Sequence, residues 1–575
     1  MASESRLAPL RRFFMMLQPD RKDLGLIYVF AVFNGLVNLS LPLGVQAIIQ
    51  LINGATVSSS WWILIAVVLV GTALTGVLQI LQLSVLESIQ QRLFSRAAIE
   101  FAYRTPRFKA EALRNFEPTD LMNRFFDVLT VQKGLPKILL DFATSGLNIV
   151  FGLVLLSFYH PFFVFFGLVA LLLLALVFYL YGNRGLKTSY AESSYKYKTA
   201  FWLEEVARSL ITFKMAGRTE LATQRSDKLA QSYIQARKDH FKVLLGQYAY
   251  TVGFKVIITA GLLIIGGLLV MQRELNIGQF VAGEIIIILI INATEKIIFS
   301  LETVYDTMTG LEKIGQVSDI ELEHRNDKAS FALPIDQGVE CRMSNIRFSP
   351  EGKAVLDQID LTIGASERCC LIGKEGSGKT ALLHVLGSLF YDFEGVLAYN
   401  GMPIGSLDIE QLRFVIGENF NQENLFSGSL LENITLGREG IEQTELMNAL
   451  KVAGLSEFVQ SLPEGLNTEF EPSTKHLPNS IVTRIILARS MVHRPSLLLL
   501  DNLHEFESLD NYQGLVQCIV DRNRAWTLVV ASNDAHIARL CDRVVWLEGG
   551  RIKAQGTLDE ILQIPGAGDV LTSNS

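Results

Sequence analysis

The chain has 575 residues, 49% of them hydrophobic and only 19% charged, with a formal net charge of −7 and a mean hydropathy of +0.31. Soluble domains carry about 25% charged residues, so this composition excludes a disordered chain, a collagen and a small disulfide scaffold, and argues against a wholly soluble enzyme. The charge is divided: residues 1–320 hold 30 Lys and Arg against 23 Asp and Glu, and residues 321–575 hold 21 against 35. A basic apolar half followed by an acidic one predicts a membrane domain joined to a soluble domain.

In chain order, Met1–Asp23 carries basic residues but no short apolar stretch ending in a signal-peptide cleavage site. Its Arg11, Arg12, Phe13, Phe14, Met15 and Met16 predict an amphipathic segment on the cytoplasmic face. A helix needs about 20 mostly apolar residues to cross the hydrocarbon. Six stretches meet that length: 26–52, 61–89, 138–159, 161–186, 248–271 and 277–298. The connections 90–137 and 187–247 are long, polar and basic, while the other joints are short. The excess of Lys and Arg places both long connections, the N-terminus and the second half in the cytoplasm. These connections hold few Gly or Pro, so they predict helices continuing out of the membrane as two cytoplasmic hairpins. Pro42 predicts a bend in the first span. Glu284 interrupts the last span, followed by Asn292, Glu295 and Lys296. A membrane carboxylate is costly, so Glu284 marks either a substrate path or an interhelical polar contact.

The charged stretch 321–338 reads as a linker, leaving 1–320 as the membrane domain and 339–575 as an α/β domain in which short apolar runs alternate with amphipathic helical stretches. All five cysteines lie in this second half, at spacings that fit no zinc pattern, as expected for reduced thiols in a cytosolic domain. Arg368–Ile372 predicts a strand, followed by Gly373-Lys374-Glu375-Gly376-Ser377-Gly378-Lys379-Thr380 and a helix. That context makes the GxxxxGK[ST] spacing a phosphate loop. The glycines let backbone N–H groups turn inward, the helix N-terminus adds its positive dipole end, Lys379 can reach the β- and γ-phosphates, and the Thr380 hydroxyl can ligate Mg²⁺. Four leucines ending in Asp501 predict a buried strand whose carboxylate helps to hold that metal. The basic residues lie between apolar spans rather than in a long run, so no nucleic-acid partner is expected.

Taken together, the six spans, Gly373–Thr380, Leu497–Asp501, Asn424–Ile434, Leu487–Pro495, Ser508–Asp510 and Gly550–Gly556 resemble the exporters of the ATP-binding cassette (ABC) family over nearly the whole chain. The resemblance implies a six-span α-helical exporter-type transmembrane domain followed by an α/β P-loop nucleotide-binding domain, with ATP and Mg²⁺ as ligands. It also implies a half-transporter of the bacterial cytoplasmic (inner) membrane, surrounded by lipid and paired with a second half-transporter as homodimer or heterodimer. A transported peptide or protein and a periplasmic adaptor are the further expected partners.

Several positions depart from the family pattern. The catalytic Glu position holds Asn502, which cannot accept a proton from the attacking water. The LSGGQ signature aligns with Leu477-Pro478-Asn479-Ser480-Ile481, without glycines and with one backbone donor removed by Pro478. The Q-loop glutamine aligns with Asn421, with Gln422 beside it, and the switch histidine aligns with Asn533. The adenine-stacking aromatic falls at Ser349 or Pro350. Glu505 and Glu507 follow Asp501 as alternative carboxylates, or as solvated loop residues. Two functions follow: an export subunit that binds ATP with its hydrolysis residues lost, or a non-catalytic pseudo-ATPase that regulates or scaffolds another transporter or secretion protein.

Overall fold

The computed structural model describes residues 8–53, 59–113, 116–323, 337–420, 425–471, 477–501, 503–506 and 512–571. The chain divides into two compact units, Met1–Phe108 with Ala112–Glu321 and Lys109–Glu111 with Leu322–Ser575.

The first unit is helical. Among the described residues, six helical segments are long and apolar enough to cross a membrane: Pro9–Ile52, Ser59–Arg107, Pro118–Ser157, Phe162–Arg208, Leu221–Met271 and Ile277–Ser318. They run to 40–51 residues each. A hydrocarbon core about 30 Å thick takes roughly 20 helical residues, so every helix has a remainder that projects into water. Those remainders build both long connections. Ser59–Arg104 and Phe162–Arg208 run unbroken through the polar stretches after the second and fourth spans.

The first span breaks where Pro42 acts. Helix Arg21–Asn38 stops, Leu39 makes a turn, and Ser40–Asn53 resumes. A helical proline clashes with the carbonyl four residues back, here Asn38, so the interruption falls just upstream of the ring. Two further irregularities are π turns, at Lys137–Asp141 in the third span and Leu262–Gly266 in the fifth.

The last span is the most deeply packed helix of this unit. It starts at a capping box in which the Asn276 side chain accepts from Gln279 N at 2.7 Å and the Gln279 side chain accepts from Asn276 N at 2.9 Å. Ile286, Ile287, Ile290, Ile297, Ile298 and Leu301 form its buried face. Glu284, Ile288 and Asn292, each four residues from the next, lie on its exposed face. Glu284 is therefore outside the interior of this chain's own bundle. Glu295 pairs with Lys255 of the fifth span, and Lys296 pairs with Asp141 of the third-span π turn at 2.9 Å. These two residues tie the last span to its neighbours on either side.

The amphipathic N-terminal segment forms helix Ala8–Leu17. Phe13 and Leu17 are buried, Phe14 and Met15 are exposed, and Arg12 pairs with Glu312 at 2.9 Å and with Asp319.

Among the described residues the second unit contains twelve strands: β1 Cys341–Phe348, β2 Leu356–Ile363, β3 Arg368–Ile372, β4 Phe393–Tyr399, β5 Met402–Pro403, β6 Ile416–Asn419, β7 Gly428–Ser429, β8 Glu469–Phe470, β9 Leu497–Asp501, β10 Thr527–Ala531, β11 Arg543–Glu548 and β12 Arg551–Gly556. The main sheet has the order β12-β11-β3-β10-β9-β6, parallel except for the β11–β12 edge. A second sheet, β2-β1-β4-β5, is antiparallel, and β7 pairs with β8. Strands β3, β9 and β10 are buried along their whole length, which is why they read as unbroken apolar runs rather than alternating ones. β9 lies between β10 and β6, inside the sheet but only one strand from its edge. The five cysteines are free thiols, and burial pushes the Cys341 and Cys369 thiols well up from the ordinary range.

Candidate nucleotide-binding site

The site sits at the C-terminal ends of β3, β9 and β10, the usual position for ligands on an open parallel sheet. Chain leaving β3 cannot start the next helix directly. It first makes the loop Gly373–Gly378, and helix Lys379–Leu386 begins on Gly378. Gly378 is left-handed at φ +102°, and a Cβ there would stand 3.0 Å from both Val355 O and Leu356 Cδ2. No L side chain satisfies both demands, so this position selects glycine on conformation and on space.

Three polar groups converge at this helix start. The Lys379 ammonium donates to Gly373 O at 2.5 Å and to Lys374 O at 3.1 Å, and burial holds its pKa below the usual lysine value. The Thr380 hydroxyl donates to Asp501 Oδ2 at 2.7 Å. Residues 121 apart in sequence thus meet at one point, because β10 joins β3 to β9 in register. The Ser377 hydroxyl is buried with no hydrogen-bond partner among the described residues. A buried polar atom left unpaired is costly, so an orphan hydroxyl inside a phosphate loop fits an oxygen-rich ligand. Thr380 and Asp501 offer the hard oxygen donors that suit Mg²⁺. The residues present therefore fit a nucleotide polyphosphate with a divalent cation.

The remaining positions behave differently. Asn533, just past β10, is turned onto the loop itself: its Oδ1 accepts from Gly373 N at 3.0 Å and its Nδ2 donates to Gly373 O at 3.0 Å. Pro478 precedes helix Asn479–Met491 and supplies no side-chain cap, while Pro478 and Asn479 are exposed. Ser349 is exposed, and the neighbouring Phe348 is buried and stacked on Phe390, with ring centroids 5.0 Å apart. That aromatic is committed to the core and presents no free face to a base. Glu505 belongs to the short turn Leu503–Phe506. Asn421, Gln422, Asn502, Glu507 and the segment 508–510 lie outside the described residues.

Sequence reasoning missed two of these features. The orphan Ser377 hydroxyl reads in sequence only as a filler of the loop. The Asn533–Gly373 pair reads only as the loss of a histidine, since nothing local says where an amide 160 residues downstream will point.

The family model for the ABC transporter transmembrane region matches residues 24–294, and the ABC transporter model matches residues 356–504. The chain belongs to the ABC transporter family and has the exporter arrangement, a six-helix membrane region followed by the ATP-binding domain. It is a multi-pass membrane protein with that domain in the cytoplasm.

Among its relatives, the cyclolysin secretion/processing ATP-binding protein CyaB of Bordetella pertussis is 27% identical over 314 residues, 54% of this chain and 43% of that one. The alpha-hemolysin translocation ATP-binding protein HlyB of Escherichia coli O6:H1 is 26% identical over 374 residues, 63% of this chain and 51% of that one. The chain thus spans about half the length of the curated relatives it matches. A solved bacterial Atm1-family ABC exporter with ATP bound shares the fold at a TM-score of 0.83, covering 96% of this chain and 97% of its own at 17% identity.

Proposed function

We propose that this chain is a half-transporter of a bacterial inner membrane that binds ATP–Mg²⁺ through Gly373–Thr380 and Asp501 and couples nucleotide occupancy, rather than rapid turnover, to its spans. The carrying observation is the convergence of Lys379, Thr380 and Asp501 around a loop with an unpaired Ser377 hydroxyl. When bound, the cation neutralises phosphate charge. The chain's own residues hold and orient: loop N–H groups donate to the phosphate oxygens, Lys379 turns from its carbonyl partners toward phosphate, and Thr380 and Asp501 offer oxygen to the metal. The hydrolysis end lacks equivalents. Asn502 has no basic lone pair for a water proton, and Pro478 withdraws a donor where a partner's γ-phosphate would be gripped.

Two such chains, or this chain and a complete half-transporter, would form the working dimer. The secretion functions named for CyaB and HlyB support a peptide or protein as cargo, with a periplasmic adaptor as a further partner. The test is cargo efflux and ATP-analogue binding by wild type and Lys379→Ala in the same membranes. Efflux and binding should fall together, and efflux unchanged without Lys379 contradicts the coupling.

A second reading is favoured by Asn533, whose amide is spent on Gly373 instead of facing a γ-phosphate. It makes the chain a pseudo-ATPase that regulates or scaffolds another transporter or secretion protein. Turnover of ATP by the purified chain alone at ordinary transporter rates would refute that reading.

A further inference from the structure

The last peptide of the β3–β10 ladder is closed by a side chain. Strand β10 pairs with β3 up to Ala531 against Leu371, and Ser532 N then donates to Leu371 O at 3.1 Å. One residue further, the backbone has turned toward helix Ala535–Leu540, whose start is fixed by the buried Asp534 accepting from His536 N at 2.7 Å. The Asn533 side-chain amide takes the place of the missing peptide. It exchanges two bonds of 3.0 Å with the N–H and C=O of Gly373, the pattern of two directly opposed residues in an antiparallel pair, appended here to a parallel ladder. The sheet is thereby extended by one amide onto the first residue of the phosphate loop.

The same Gly373 carbonyl also accepts from Lys379 at 2.5 Å. A carbonyl has two lone pairs, and here two donors share it. Lys379 has a third donor beyond the two carbonyls it meets, and as a phosphate draws the ammonium in, its hold on this oxygen weakens. With Asn533 in place the carbonyl stays satisfied when the ammonium departs. Without Asn533 the departure would strand a part-buried acceptor and free the Gly373 peptide to rotate.

We infer that Asn533 is a positioning residue for nucleotide binding, which holds the Gly373 peptide so that Lys379 can be released to phosphate at low cost. This inference rests on the ATP-binding reading and deepens it: the position that departs from the family's switch histidine has become part of the loop's support. Because Asn533 acts through Gly373, it strengthens binding of ATP and ADP alike. A residue touching a γ-phosphate would discriminate between the two.

The test uses the full chain in lipid nanodiscs, titrated with fluorescent ATP and ADP analogues in the presence of Mg²⁺, and compares wild type, Asn533→Leu and Asn533→His. Loss of this part-buried hydrogen-bond pair should raise both dissociation constants about tenfold in Asn533→Leu, with an unchanged ATP/ADP ratio and an intact circular dichroism spectrum, and should lower the ligand-free melting temperature slightly, since both bonds exist without nucleotide. Asn533→His should also bind more weakly, although it restores the family residue, because an imidazole cannot pair with both groups of one peptide. Wild-type affinity in Asn533→Leu, a loss confined to ATP, tighter binding by Asn533→His, or a lost folded circular dichroism spectrum in Asn533→Leu each overturns the positioning role. If the wild type binds neither analogue, the ATP-binding reading itself fails, and that result is distinct from the other four.

Discussion

The phosphate loop and the start of the Asn479–Met491 helix belong to the same unit, and in the proposed dimer the loop serves this chain's own nucleotide and the helix start serves the partner's. Their surroundings differ sharply. The loop hangs from buried β3, its Gly373 and Gly378 sit where a Cβ would meet backbone, and its polar groups are crossed to Asp501 and Asn533. The helix start has an exposed Pro478 and Asn479 and no side-chain cap. Only the far end of that helix is locked, where Leu487, Ala488 and Val492 are fully buried. A binding loop built into a sheet keeps its geometry for structural reasons, whereas an exposed helix start can lose its chemistry without disturbing the fold.

The largest effect should come from restoring the weak side. Asn502→Glu combined with the family signature at 477–481 should raise ATPase activity about 10²-fold or more, since general base assistance is typically worth 10²–10⁴. Asn502→Glu alone should give far less, and equal gains from the single and combined changes would break the comparison. Next, Lys379→Ala should weaken ATP-analogue binding on the order of 10–100-fold, as expected for loss of a charged hydrogen-bonding partner, with folding intact by circular dichroism.

A pH effect should appear at the locked end of the helix. His493 Nδ1 accepts from Arg438 at 2.6 Å and its Nε2–H faces Ile416 O at 3.3 Å, so the neutral ring is the folded form. Burial first, and the nearby Arg438 charge second, push its folded pKa down to about 3. The unfolded ring takes up a proton near pH 6.5. The stabilisation is therefore complete above that pH and is lost as pH falls from about 6.5 toward 3, reaching about 2 kcal/mol near pH 5. Thermal melting of the chain should fall across that window, and a leucine at 493 should flatten the slope. The smallest effect is at Gly378: alanine at φ +102° should cost about 1–2 kcal/mol, read as a lower melting temperature together with weaker nucleotide binding.

The fold was legible where physics acts locally. Long apolar stretches can only be spans, Pro42 must disturb its helix, and a glycine-rich loop after an apolar strand must turn on glycine. The π turn at Lys137–Asp141 was not legible, because it answers to packing and to the Asp141–Lys296 pair 155 residues away. The antiparallel sheet of β1, β2, β4 and β5 was hidden by the same apolar runs that mark the parallel one. In the site, Lys379, Thr380 and Asp501 were readable from spacing. Asn533 was readable only as an absence, because its new role depends on how β10 delivers it to Gly373. Glu284 read as a polar intrusion, and only the packed helix places it on the exposed face.

The most direct measurement is a paired one on the full chain in nanodiscs: equilibrium binding of an ATP analogue with Mg²⁺ and, in the same preparation, phosphate release from ATP. The expected result is saturable binding that weakens on the order of 10–100-fold with Lys379→Ala, beside a turnover far below about 1 s⁻¹, the low end of ordinary enzymes. Sustained turnover at or above that rate, or no saturable binding at all, would contradict it.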